Sequence, residues 1–415
     1  MAESFGALLR NCRLEAGVSL GQLAQKIKYS KGYLSRIENG HQPPSPMFAK
    51  QCDRVLGTDG RLAAAVPAKT TAAANHATSS GDVWVLELDE GTLRFTEVSR
   101  REVLAGAGAL LGYAATRNAR PVVDAPTLAA LRASFDHYRV LGTMTSPLVV
   151  LAQVIAHVHT LRTLANGNPE PARSELMLLA ARVAEFAGWM SQEAGDEVNA
   201  VRWTDWAARA VAAQDPHFPS FALFRHAEIA LYRNDAHQTV ELARRAQQDK
   251  DAGPRILGLA ARCEAQGHAL AGDIRGYEEA LDRAAGLLAI PEDHYGPVLG
   301  SASVPDEVAL ARGWSLYDLG RPGDAAELLD QQLIVIPSTA RRARARFGMR
   351  RALAHAQYGD IDQACVAARE VLADTAQVDS ATIRQDLREL SRTLGRWHTH
   401  RVAVDLRQEL IRMLH

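Results

Sequence analysis

The sequence predicts an all-α fold in two unequal parts, a small N-terminal helical bundle and a long stack of helical hairpins, with a short β-hairpin in the segment between. Three observations predict it. Aromatic residues are only 6% of the 415, while Ala, Leu and Arg, all strong helix formers, dominate. Apolar residues recur at helical spacing throughout residues 3–65. Beyond residue 127, a Gly or Asn beside an acidic residue recurs as GDEV at 195, NDAH at 234, GDIR at 272, GRPGDA at 320 and GDID at 359, with a weaker GRWH at 395. The intervals are 39, 38, 48, 39 and 36 residues, a period that indicates stacked helical hairpins.

Each element has its own signal. Phe5, Leu8, Leu9 and Cys12 share one face of a first helix that Gly17 ends. Ser19 caps a second, burying Leu20, Leu23, Ala24 and Ile27. Ser30 caps a third, which buries Leu34 and Ile37 and stops at Gly40. After the bend of Pro43-Pro44, Ser45 and Pro46 open a fourth with Met47, Phe48, Cys52, Val55 and Leu56 inward, and Asp59 starts a short fifth. Residues 66–81 are small, polar and unpatterned, as in a flexible linker. VWVLEL (83–88) and TLRFTEV (92–98) flank Asp89-Glu90-Gly91, a hairpin signal. Ser99-Arg100-Arg101 before AGAGALLGYAA mimics a twin-arginine export signal, and reads better as a capped apolar helix behind a folded domain. The domains are therefore 1–65, a connecting segment 66–126, and a helical body 127–415. The long interval of the body holds a Pro/Gly-rich insertion, 289–307.

The net charge is -1. Residues 1–65 carry nine Lys/Arg against five Asp/Glu, so a head of +4 precedes a remainder of -5. A small basic module on an acidic remainder is the asymmetry of a nucleic-acid-binding head. Cys12, Cys52, Cys263 and Cys365 form no CxxC pair, which fits reduced thiols in a cytoplasmic protein. No signal peptide and no apolar run of membrane-spanning length is read from the chain. Phosphate loops, GxSxG, HExxH and DxDxDG are all missing, so neither an enzyme nor a cofactor or metal is expected.

The chemistry concentrates in SLGQLAQKIKYSKGYLSRIENG, residues 19–40. Two helices joined by a short turn, the second basic near its start, form the helix-turn-helix pattern. The major groove admits one α-helix, and the first residues of that helix reach base edges. Lys31, Gly32 and Tyr33 open the third helix and Arg36 lies one turn on, while Ala24, Leu34 and Ile37 join the helices. The segment QLAQKIKYSKGYLSRIENGHQPPS resembles the repressor-type helix-turn-helix of the xenobiotic-response-element (phage-repressor-like) family, over about residues 4–62. The resemblance implies double-stranded DNA as partner and a DNA-contacting set of Ser19, Ser30, Lys31, Gly32, Tyr33, Ser35, Arg36, His41 and Gln42, with Glu38 structural. One position departs: the Gln that the family often places first in its second helix is Leu20 here, so its phosphate contact falls to another group such as Ser19.

In the body, ALARGWSLYDLGRPGDAAELL (309–329) is the clearest unit and resembles a tetratricopeptide repeat, although the spacing is longer than the ideal ~34 residues. Such hairpins stack into a superhelix with a concave wall. Trp189, Trp203, Trp206, Phe221, Phe224, Arg225 and Tyr232 either line an effector pocket there or fill the repeat core. Six arginines between 341 and 351 read as a solvated helix face rather than an anion site, and Trp397-His398-Thr399-His400 does not place its histidines on one face. The layout is similar to peptide-sensing quorum regulators of Gram-positive bacteria, which implies a homodimer with a peptide, small-molecule or protein effector in the repeat groove and no membrane partner. The alternative is a scaffold of tetratricopeptide-like repeats whose head no longer binds DNA.

Overall fold

A computed structural model describes residues 5–27, 29, 31–40, 44, 46–58, 60–66, 83–89, 92–98, 122–211, 214–215, 217–249, 252–291, 300 and 303–414. Five helices form the head: α1 (Phe5–Glu15), α2 (Leu20–Lys26), α3 (Lys31–Glu38), α4 (Pro46–Leu56) and α5 (Arg61–Ala64). Leu9, Leu23, Leu34, Phe48, Cys52 and Leu62 are fully buried between them. At Gly6 a Cβ would stand 2.5 Å from the Ile37 carbonyl oxygen, so glycine is what lets α1 close on the end of α3. Asp53 on α4 accepts the backbone N–H groups of Leu62 (2.9 Å) and Ala63 (2.8 Å), tying α5 down. Two strands, β1 (Val83–Asp89) and β2 (Thr92–Val98), pair antiparallel with Val83 opposite Val98. The linker 67–81, the twin-arginine segment and most of the 289–307 insertion lie outside the described residues.

The body is fourteen described helices: α6 (Ala125–Met144), α7 (Pro147–Gly167), α8 (Ala172–Ala194), α9 (Glu197–Val211), α10 (Phe218–Tyr232), α11 (Ala236–Ala246), α12 (Pro254–Ala271), α13 (Ile274–Leu288), α14 (Glu307–Asp318), α15 (Pro322–Val335), α16 (Arg341–Tyr358), α17 (Ile361–Val378), α18 (Ala381–Leu394) and α19 (Arg401–Leu414). Each packs on the next except α17, which packs on α16 and α19 rather than on α18, and the even-numbered helices from α10 to α18 also pack on one another in series. The recurring signals are the turns within these hairpins. Gly195, Asn234, Gly272, Gly320 and Gly359 all have positive φ and close a helix, whereas Gly395 does not. Asp235, Asp273 and Asp360 then cap the following helix by accepting its third N–H.

The stack curves until its ends meet: α16 packs on α6, and α18 on α8. One buried carboxylate fastens the closure. Glu193, 1% exposed, accepts from Arg342 (2.8 Å), from Arg346 and from Ser380 (2.6 Å). Arg342 also donates to the carbonyls of Gly142 (2.7 Å) and Thr145 (2.6 Å). The Arg346 and Arg342 charges hold the Glu193 carboxyl at about 2 against the opposing effect of burial.

Two expectations fail here. The arginines of α16 are not a solvated face: Arg344 pairs with Asp374 (3.1 Å), Arg350 with Asp386 (3.0 Å) and Arg351 with Asp330 and Glu370, besides the two on Glu193. Their partners lie far along the chain, where no local pattern reveals them. The second concerns α7, which is by composition long and apolar enough to cross a membrane, with mean hydropathy 1.5 over an 18-residue stretch. In the fold Val150, Val154, Val158 and Leu161 on it are fully buried, and it packs against α6 and α8.

Candidate nucleic-acid interface

Local chemistry fixes α3. Leu34 and Ile37 sit in the head core and Ala24 of α2 is 4% exposed, so the two helices meet through these residues as the spacing predicts. Glu38 closes α3 from inside: Arg13 donates to both of its oxygens, at 2.7 and 3.0 Å, and Arg10 adds a longer contact at 3.4 Å. Its side chain is 3% exposed, which makes it structural. The Glu38 hydrogen bond raises the Arg13 pKa. Arg13 also donates to the Val18 carbonyl (3.1 Å), bracing the turn into α2. Asn39 donates to the Ser35 carbonyl at 2.8 Å and finishes the helix.

The other face of α3 is open at Lys31, Gly32 and Arg36, and Ser35 is half-buried. A Cβ on Gly32 would meet nothing within 4 Å among the described residues, so their packing does not require glycine there. Ser19 is exposed and engaged in a capping box: it accepts from the Gln22 N–H (3.2 Å) while the Gln22 side chain accepts from its own N–H (2.8 Å). Ser30, His41 and Gln42 lie outside the described residues. Tyr33 differs from a free groove-reading residue. It is half-buried, its ring 5.6 Å from Phe48 and 5.1 Å from Tyr29, and burial pushes its hydroxyl pKa up.

The aromatic residues read as lining either an effector site or the repeat core do not form one pocket. Trp203 and Phe224 are 2% exposed, Phe221 is fully buried, and Arg225 is 5% exposed against Glu185 and Glu228. These belong to the core of the body. Trp189 lies under Arg342, and Trp206 under Arg162 beside a shallow 280 Å³ hollow. Only Tyr232 reaches the large cavity, about 2210 Å³, which lies between head and body. Its walls include Tyr33 and Arg36 of α3, Trp314, Asp386 and Arg392. Burial and the neighbouring Glu389 and Asp318 hold Asp386 at about 6, above the ordinary carboxylate range, despite Arg350.

Sequence reasoning missed the residues that bring the head to this cavity: Tyr29, Lys50 and Arg54 on the head, Gln357 and Arg396 on the body. Each contact joins residues more than two hundred positions apart. The one local signal was Lys50, a cation beside the inward residues Ala49 and Cys52 of α4. Among the described residues no group of His, Cys, Asp or Glu could hold a metal ion.

Residues 4–66 match a helix-turn-helix domain family. No curated protein matches the chain. The head is thus a helix-turn-helix domain, the module of DNA-binding regulators.

Proposed function

We propose that the chain is a cytoplasmic, sequence-specific, DNA-binding transcriptional regulator, with no catalytic step of its own. The observation that carries this is the open row Lys31, Gly32 and Arg36 along the third helix of a helix-turn-helix head. Inserted in a major groove, Arg36 can fork onto guanine O6 and N7 and Lys31 can meet a phosphate or base. Gly32, whose Cβ position no described residue crowds, lets the backbone approach the duplex. The family resemblance adds Ser19, Ser30, Ser35, His41 and Gln42 as backbone contacts. Tyr33 supports the helix from its packed side.

On this reading residues 127–415 are a tetratricopeptide-like body that dimerises and senses an effector. One head of this size buries only ~600–1,000 Å² of protein surface on DNA, and a homodimer on an inverted repeat doubles it. A cavity of 2210 Å³ exceeds the ~300–1,000 Å³ of small-molecule sites, which favours a peptide effector. The test is a mobility shift on genomic fragments with wild type and Arg36→Ala. Specific complexes that weaken by ~1–3 kcal/mol on substitution support the reading. Sedimentation as a monomer, with and without DNA, removes the dimer.

A further inference from the structure

We infer that the body is a docking surface for its own head, and that this docking competes with duplex DNA for the Arg36 side of α3. The inference rests on the head being a DNA reader, as proposed above.

The dock is built from two sets of contacts. Lys50 and Arg54 stand one turn apart on α4. Lys50 donates to the carbonyl of Ala269 (2.9 Å), in the last turn of α12, and Arg54 donates to that of Gly320, just past α14. Two cations at i and i+4 therefore meet the carbonyl ends of two body helices that pack side by side, where the helix dipoles favour positive charge. Lys50 is only 8% exposed, a burial that lysine tolerates only with an acceptor, and its acceptor is on the body. The second set grips the residue leading into α3. Arg396 lies over the Tyr29 ring (4.4 Å), and Gln357 donates to the Tyr29 hydroxyl (3.4 Å) and accepts from Arg396. Charge agrees with the geometry, since the +4 head sits on the -5 remainder.

The consequence is steric. A reading helix needs the full ~12 Å of a major groove, with phosphate walls on both flanks. Here Tyr33 and Arg36 line a cavity that Arg392 of the body lines too, and Tyr29, two residues before α3, is in contact with the body. A duplex cannot take that space until the head leaves.

The test uses the full chain with Arg396→Ala and, separately, Arg54→Ala, an exposed residue outside the head core. Two quantities are read: hydrogen exchange over residues 20–58, and affinity for a random-sequence duplex pool at fixed low salt. The docked fraction scales down apparent affinity, so release should speed exchange and tighten DNA binding about tenfold or more. Each variant deletes a cation, and charge alone would weaken DNA binding, so the direction separates the two causes. Faster exchange with unchanged or weaker DNA binding overturns the inference and leaves the DNA-reading head standing. Unchanged exchange in both variants means that no dock exists in solution and overturns it too. DNA binding by none of the three proteins overturns this inference and the proposed function together.

Discussion

Replacing Glu193 with glutamine removes one negative charge from the closure of the body and changes almost nothing in shape. The carboxylate meets Arg342, Arg346, Ser380 and Thr382, so one residue of α8 holds α16 and the start of α18. Its pKa of about 2 lies below the 4.5 of an unconstrained glutamate. A folded pKa below the unfolded one stabilises the fold above pH 4.5, and the contribution fades as pH falls toward 2. At 1.36 kcal/mol per unit, the shift is worth about 3 kcal/mol at pH 7, close to the ~3–5 kcal/mol for breaking a buried ion pair. A chain of this size does not unfold in one step, so local opening is the better readout. Hydrogen exchange in α8, α16 and α18 should accelerate about a hundredfold in Glu193→Gln at pH 7, with little change in the head. Fluorescence of Trp189, 5.8 Å from the Arg342 guanidinium, should shift with it. Exchange in those helices equal to wild type would refute the reasoning that this carboxylate closes the stack.

Three other substitutions test separate parts. Gly6→Ala should destabilise the head by ~1–3 kcal/mol, because its methyl carbon would stand 2.5 Å from the Ile37 carbonyl oxygen; a helix-turn-helix segment melting as in wild type would contradict it. Asp386, at about 6 in the fold, binds its proton more tightly folded than unfolded, so it adds stability as pH falls from 6 toward 4. Hydrogen exchange in α16 and α18 at pH 7 and pH 4, corrected for intrinsic exchange, should show that increment, about 2–3 kcal/mol, as the difference between the pH dependence of wild type and that of Asp386→Asn; equal pH dependence in the two would contradict it. Glu38→Ala should cost ~3–5 kcal/mol by stranding the buried Arg13, read as loss of α1 and α3 amide protection.

What the sequence discloses is what local chemistry controls. The helix-closing positions at Gly195, Asn234, Gly272, Gly320 and Gly359 were legible because a positive φ restricts the residue type, and the aspartates after them because a cap needs a short acceptor. Leu34 and Ile37 were legible from spacing on one short helix, and Glu38 from the family resemblance. The α16 arginines were not, because a buried ion pair and a solvated one look alike until the partner is placed, and Glu193 is about 150 positions from Arg342 and Arg346. The Trp203, Phe224 and Arg225 group read as either pocket or core for a related reason: an arginine paired with two carboxylates can sit in a core beside aromatics. The dock was invisible because Lys50 and Arg54 are ordinary helix cations until two carbonyl ends come within reach.

The central claim is that α3 reads a DNA sequence. Selection from a random duplex library by the full chain, followed by sequencing, tests it most directly when run beside Arg36→Ala and the released variant Arg54→Ala. The account predicts one short motif, repeated with twofold symmetry about one helical turn apart, enriched by wild type and more strongly by Arg54→Ala, and relaxed at one base pair per half-site in Arg36→Ala. No enriched motif with any of the three proteins, or one motif untouched by Arg36→Ala, would contradict it.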